Sequence, residues 1–193
     1  KWTAGQKEEA LTCLSKGFIL SPTVPDNRTL YYSAISSSGD FGDAESVFRE
    51  AKRLYPTNKD IAFLYIDILI RQEKFSPAIS EIEDAIITFG LDDNILDAAL
   101  SVREKAGPRS LKQKGSYKSS LSLSMIVKNE EEHIANCLRS VRDVVDEMIV
   151  VDTGSTDRTK EIARAFGARV FEFPWTGDFS EARNYSLSKA NGD

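Results

Sequence analysis

Two polar clusters stand where apolar runs end and a third lies within an amphipathic stretch, and these are the residues best placed to do chemistry. Lys128, Asn129 and Glu130 follow the run Leu121–Val127. Asp152, Thr153, Gly154 and Ser155 follow the run Glu147–Val151. Arg183 and Asn184 lie inside a third amphipathic stretch, Phe179–Ala190. An ionised carboxylate only accepts hydrogen bonds, so Asp152 suits a ligand that offers N–H or O–H donors. Its competing role is to bond the turn that follows it. Glu130, with Glu131 and Glu132, alternatively favours the start of the next helix. Arg183 has a surface ion pair with Asp178 as its alternative.

Two of these clusters need strands to bring them together. Leu121–Val127 reads as a buried strand, and Glu147–Asp152 as a second. Between them a helix is expected from about Glu131 to Arg142, with Ile134, Cys137, Leu138 and Val141 on one face. Ser155 or Thr156 is expected to cap a helix running to about Phe166, with Asp157 in its first turn. Gly167 ends that helix, Ala168–Phe173 forms a third strand, and a third helix runs from Phe179 to about Ala190. Strand and helix in alternation with short connections imply a parallel sheet with right-handed crossovers. Such sheets bind ligands at the carboxyl ends of their strands, where strand order reverses. Asn129–Glu130 and Asp152–Ser155 both fall at those ends. Neither G-x-G-x-x-G nor G-x-x-x-x-G-K-[ST] occurs, which argues against a dinucleotide oxidoreductase and a P-loop.

The first half of the chain is organised differently. Ala10, Ala44 and Ala78 recur every 34 residues. Leu14, Phe48 and Ile82 keep the interval, as do Gly17, Ala51 and Ala85, and Pro22, Pro56 and Gly90. Tyr31 pairs with Tyr65 and Phe41 with Phe75 in the same register. Small residues allow two antiparallel helices to approach, Phe48 and Tyr31 fill the groove, and Pro56 ends a helix. This pattern resembles the tetratricopeptide repeat over roughly residues 5–94, with a closing helix over 95–106. The repeat's usual Trp and first-helix Gly are missing. Stacked hairpins of this kind present a surface for a peptide or protein segment, or serve as a spacer or dimerisation element. An irregular bundle with an accidental period is the competing account.

Residues 107–120, rich in Gly, Pro and Ser, carry four basic residues and no acidic one, which is linker chemistry. The expected organisation is a helical-repeat domain over 1–107, a basic linker over 108–120 and an α/β half-domain over 121–193. A net charge of −5 with no other basic patch argues against nucleic acid or an anionic membrane as partner. No apolar run approaches the ~20 residues that span a bilayer, and Lys1–Ala4 shows no signal-peptide pattern. Cys13 and Cys137 fit no metal or redox spacing and are expected to be buried free thiols in a reducing compartment, hence a cytoplasmic protein. His133, in an acidic stretch, reads as a solvated residue, and no metal ligand set is apparent.

Three segments in order carry a further resemblance: Ser124-Met-Ile-Val-Lys-Asn-Glu-Glu131, Val150-Val-Asp-Thr-Gly-Ser-Thr-Asp157 and Phe179-Ser-Glu-Ala-Arg-Asn184. Together they resemble the opening of the family 2 glycosyltransferases, which have the Rossmann-like GT-A fold and transfer sugar from a nucleotide donor. The resemblance covers about residues 121–193 and implies only the N-terminal, truncated part of that domain. It places Lys128, Asn129 and Glu130, Asp152 to Ser155, and Arg183 with Asn184, beside a nucleotide-sugar, with a UDP-sugar as the expected donor. Arg183 would face the base or pyrophosphate, a task suited to a planar, permanently charged guanidinium. Many relatives carry a second Asp where this chain has Thr153. Trp175, after Pro174, either lines a sugar or acceptor pocket or anchors its loop.

The family's D-x-D metal motif does not occur in the chain, and no catalytic residue is identifiable. The resemblance implies that a full-length parent uses Mg²⁺ or Mn²⁺, bound by residues beyond Asp193, to neutralise the leaving diphosphate. It also implies displacement through an oxocarbenium-like transition state, with a carboxylate base elsewhere. The fragment alone is expected to be inactive. Its open sheet edge is expected to pair with another copy or stay partly mobile. Fusion to tetratricopeptide-like helices resembles a bacterial architecture that includes peptide S-glycosyltransferases, with a peptide, protein or glycan acceptor. The alternative is a non-catalytic repeat scaffold with a degenerate nucleotide-binding half.

Overall fold

A computed structural model describes residues 4–107 and 120–192. The linker expected over 108–120 therefore lies almost wholly outside the described residues. The chain forms two compact units, Lys1–Phe89 and Gly90–Asp193.

The first unit consists of five helices: α1 (Ala4–Leu20), α2 (Pro25–Ser38), α3 (Gly42–Leu54), α4 (Lys59–Arg71) and α5 (Phe75–Phe89). The 34-residue interval is visible in the helix starts, since α2 begins at Pro25 and α4 at Lys59. Many of the residues that set the period in its second and third copies are packed inside. Ala44, Phe48, Ala51, Tyr65, Ala78, Ile82 and Ala85 are all buried. Phe48 stacks on Phe18 at 4.5 Å and on Tyr31 at 5.8 Å between ring centroids, so three rings close the groove that the small residues open. Helix ends follow local chemistry. Pro56 stands just beyond α3, the Asn58 side chain accepts the Ile61 N–H at 3.1 Å, and Gly90 leaves α5 with φ +82°. Ion pairs join residues of successive repeats: Arg28 to Asp60 at 2.6 Å, Lys52 to Glu81, and Lys74 to Glu45. Glu45 is buried, and the Lys74 ammonium holds its carboxyl below the ordinary range.

The second unit begins with α6 (Asp93–Ala106) and continues β1 (Ser122–Val127), α7 (Ile134–Val141), β2 (Glu147–Asp152), α8 (Thr159–Ala165), β3 (Arg169–Glu172) and α9 (Phe179–Leu187). The three strands form a parallel sheet in the order β1-β2-β3. No reversal of strand order occurs among the described strands, so the expected switch point is not found there. The central strand β2 is buried from Met148 to Asp152. β1 is only half-buried before Val127, not the fully buried strand expected. The helix α6 starts 34 residues after α4 and keeps the repeat's register, yet it packs on α8. Arg103 Nε donates to the Ala165 carbonyl at 2.9 Å, and Arg158 pairs with Asp93 at 2.9 Å. The closing helix is thus a layer of the sheet unit.

Several local expectations are corrected. The helix α7 begins at Ile134, after a turn at 131–133, and Cys137 is exposed on it; Cys13 is exposed too. Neither thiol is buried as expected; for Cys137 the reason is that Ile134, Ala135 and Leu138 take the inward positions of α7. Neither Ser155 nor Thr156 caps α8, which starts at Thr159; Asp157 accepts the Thr159 N–H instead, at 3.0 Å. Asp178 accepts the Ser180 N–H at 2.6 Å as the cap of α9, so it is not the partner of Arg183.

Candidate nucleotide site at the strand tips

The parallel register pairs Val127 with Asp152, so β1 and β2 end side by side. The loops leaving them are tied together at each step. Thr153 N–H donates to the Val127 carbonyl at 3.0 Å, and the Thr153 hydroxyl donates to the same oxygen at 3.1 Å. Asn129 N–H donates to the Ser155 hydroxyl at 2.8 Å, and Thr156 N–H donates to the Asn129 side-chain carbonyl at 2.8 Å. Asn129 adopts φ +53°, a left-handed conformation that Asn tolerates better than most residues. That conformation brings its amide and its side chain to the same neighbouring loop.

Asp152 is 2 % exposed. One carboxylate oxygen, Oδ1, accepts the N–H groups of Gly154 at 3.1 Å and Ser155 at 3.0 Å. The other, Oδ2, is buried and has no hydrogen-bond partner among the described residues. Burying half a carboxylate without a donor is unfavourable, so a donor supplied by a ligand would be strongly favoured there. The turn-bonding role of Asp152 is thus taken by Oδ1, and Oδ2 is free of it. On the far side, Phe173 N–H donates to the Asp152 carbonyl at 2.9 Å, which carries the exit of β3 to the same tip.

Residues 122–193 match the model for glycosyl transferase family 2. A TPR repeat-containing protein of Synechococcus elongatus is 49 % identical over 79 residues, 41 % of this chain and 20 % of that protein. An uncharacterized glycosyltransferase of Rickettsia typhi is 49 % identical over 57 residues, 30 % of this chain and 20 % of the relative. The SPbeta prophage-derived glycosyltransferase SunS of Bacillus subtilis is 36 % identical over 81 residues, 38 % of this chain and 18 % of the relative. The chain thus matches about a fifth of the length of these curated relatives.

Within the matched segment the structure brings together Asn129, Asp152, Thr153, Gly154 and Ser155. Thr153 is buried, and its hydroxyl is committed to β1. The side chains of Asn129 and Ser155 tie the two loops. Lys128 and Glu130 are exposed beside them. Arg183 and Asn184 lie exposed on α9, and Arg183 makes no ion pair among the described residues. Trp175 packs edge-on against Phe179, with ring centroids 4.7 Å apart, and both remain exposed. Thr159 went unnoticed in the sequence, although it is fully buried at the start of α8. Its signal was the pair Asp157-x-Thr159 ahead of a helical run, masked by the better-looking caps upstream.

Among the described residues no three of His, Cys, Asp and Glu cluster to hold a metal ion. No helix among the described residues is long and apolar enough to cross a membrane.

Proposed function

We propose that the β1–β2 tip binds the nucleoside part of a nucleotide-sugar, and that the protein carrying it is a glycosyltransferase. The observation that carries this reading is the unpartnered, buried Oδ2 of Asp152 at the carboxyl edge of a parallel sheet. An acceptor-only group so placed selects a ligand with N–H or O–H donors, such as a uracil imide or a ribose diol. Lys128, Glu130, Arg183 and Asn184 complete the proposed donor site. Arg183, unpaired and permanently charged, suits the diphosphate. A divalent cation for that diphosphate belongs to the same reading, with ligands other than the described residues. The helical unit is read as the holder of a peptide or protein segment, on the strength of its repeat period.

The test is calorimetric titration of the full-length protein with UDP, GDP, CDP and dTDP, with and without Mn²⁺. UDP is expected to bind, and Asp152→Asn and Arg183→Ala to weaken it. Binding unchanged in both variants would remove the site.

A further inference from the structure

We infer that Thr159 is a positioning residue for the nucleotide site, acting through a buried hydroxyl that fixes the β1 loop against the β2 loop. Its side chain is 0 % exposed. The hydroxyl accepts the Glu130 N–H at 2.7 Å and donates to Asp157 Oδ1 at 2.5 Å. Asp157 Oδ2 in turn accepts the Glu131 N–H at 3.2 Å, and Glu131 Oε2 accepts the Arg158 N–H at 2.9 Å. Two consecutive amides of the β1 loop, at 130 and 131, are therefore held by the start of α8. The amide just before them, at Asn129, is held by Ser155. These three bonds fix the chain on both sides of the left-handed residue Asn129, beside the open oxygen of Asp152. Thr159 is buried while the other residues of the network are exposed or half-buried, so water does not readily take the place of its hydroxyl when that is removed. Placing binding groups through locked supporting hydrogen bonds is how a site keeps its geometry before its ligand arrives.

This inference rests on the nucleotide reading above, and the experiment separates the two. Thr159→Val keeps the shape of the side chain and removes the hydroxyl, whereas Thr159→Ser keeps the hydroxyl. In the full-length protein, UDP affinity is expected to fall about tenfold in Thr159→Val and to return in Thr159→Ser. A merely structural role would lower the melting temperature of Thr159→Val and leave its affinity at the wild-type value below the transition. That result overturns the inference, as does a Thr159→Ser variant that binds no better than Thr159→Val. Wild-type protein that binds none of the four nucleotides refutes the nucleotide reading instead. Hydrogen exchange on the wild type supplies a check that needs no variant. The Glu130 amide is expected to be protected without ligand, although its side chain is exposed, and rapid exchange there overturns the inference.

Discussion

Arg103 reaches from α6 to donate its Nε–H to the main-chain carbonyl of Ala165, 62 residues away, at 2.9 Å. The bond satisfies an orphan carbonyl in the last turn of α8 and sets a cation where the helix dipole favours one. Its guanidinium also lies over Gly167, where an added Cβ would sit 3.1 Å from Arg103 Cζ.

Arg103→Leu is therefore expected to destabilise the second unit by about 1–2 kcal/mol. Gly167→Ala should do the same for two reasons, the clash and a φ of +83° that favours glycine. Urea unfolding followed through Trp175 reports both. The pair should be less than additive, because removing the guanidinium relieves the clash. Strict additivity would show that the alanine suffers from its backbone alone.

The same end of the sheet, where the strands begin, is also held by a carboxylate. Glu147 begins β2 and accepts from the Ser122 hydroxyl at 2.7 Å, Arg169 at 3.1 Å, and both the amide and side chain of Asn191. Burial pushes its pKa up, but these donors outweigh burial and hold it at about 2, against an ordinary 4.5. The folded value is the lower one, so the stabilisation is complete above about pH 4.5 and lost as pH falls toward 2. After solvent screening it is expected to be about 2 kcal/mol. Glu147→Gln should lower stability at pH 7 and flatten the acid limb between these values. An unchanged acid limb would show that the clamp does not form.

The repeat was legible because its period is carried by the residues that pack. Ala44, Phe48 and Ala51 sit inside α3, and their equivalents Ala78, Ile82 and Ala85 inside α5. Strand β2 was legible residue for residue, since a central parallel strand is a continuous apolar run. The start of α8 was not. Ser155 and Thr156 are good capping residues by type, but their polar groups are taken by Asn129, 26 and 27 residues away. A local rule cannot see that competition. The affiliation of α6 was hidden for a similar reason: its spacing is that of the repeat, while it packs on α8, far along the chain, where Arg103 and Asp93 bond Ala165 and Arg158.

Cys13 and Cys137 provide a direct check on exposure. Both are free and exposed. Both thiols are expected to react with a disulfide reagent in the native protein, without denaturant and at rates near those of a model thiol. A thiol that reacts only after unfolding would restore the buried assignment.

Phe48 tests whether the two units are energetically separate. It is fully buried and stacks on two rings. Phe48→Ala should destabilise the first unit by roughly 3–5 kcal/mol. Calorimetry is expected to show one transition moving down while that of residues 90–193 stays in place. A single transition moving as a whole would mean that the units unfold together.

Asn129 combines two demands that separate variants can divide. Its φ of +53° disfavours a β-carbon, and its side chain accepts the Thr156 N–H. Asn129→Gly relieves the first and loses the second; Asn129→Asp keeps the acceptor; Asn129→Ala fails on both counts. The expected order of stability is Asn, then Asp, then Gly, then Ala, with Ala about 1–2 kcal/mol below the wild type. UDP affinity should follow the hydrogen bond rather than the backbone, so Gly and Ala should bind equally weakly and Asp should bind better than either. If the glycine variant binds like the wild type, the tie between Asn129 and Thr156 does not shape the site, and Ser155, Asp157 and Thr159 suffice to hold the loop.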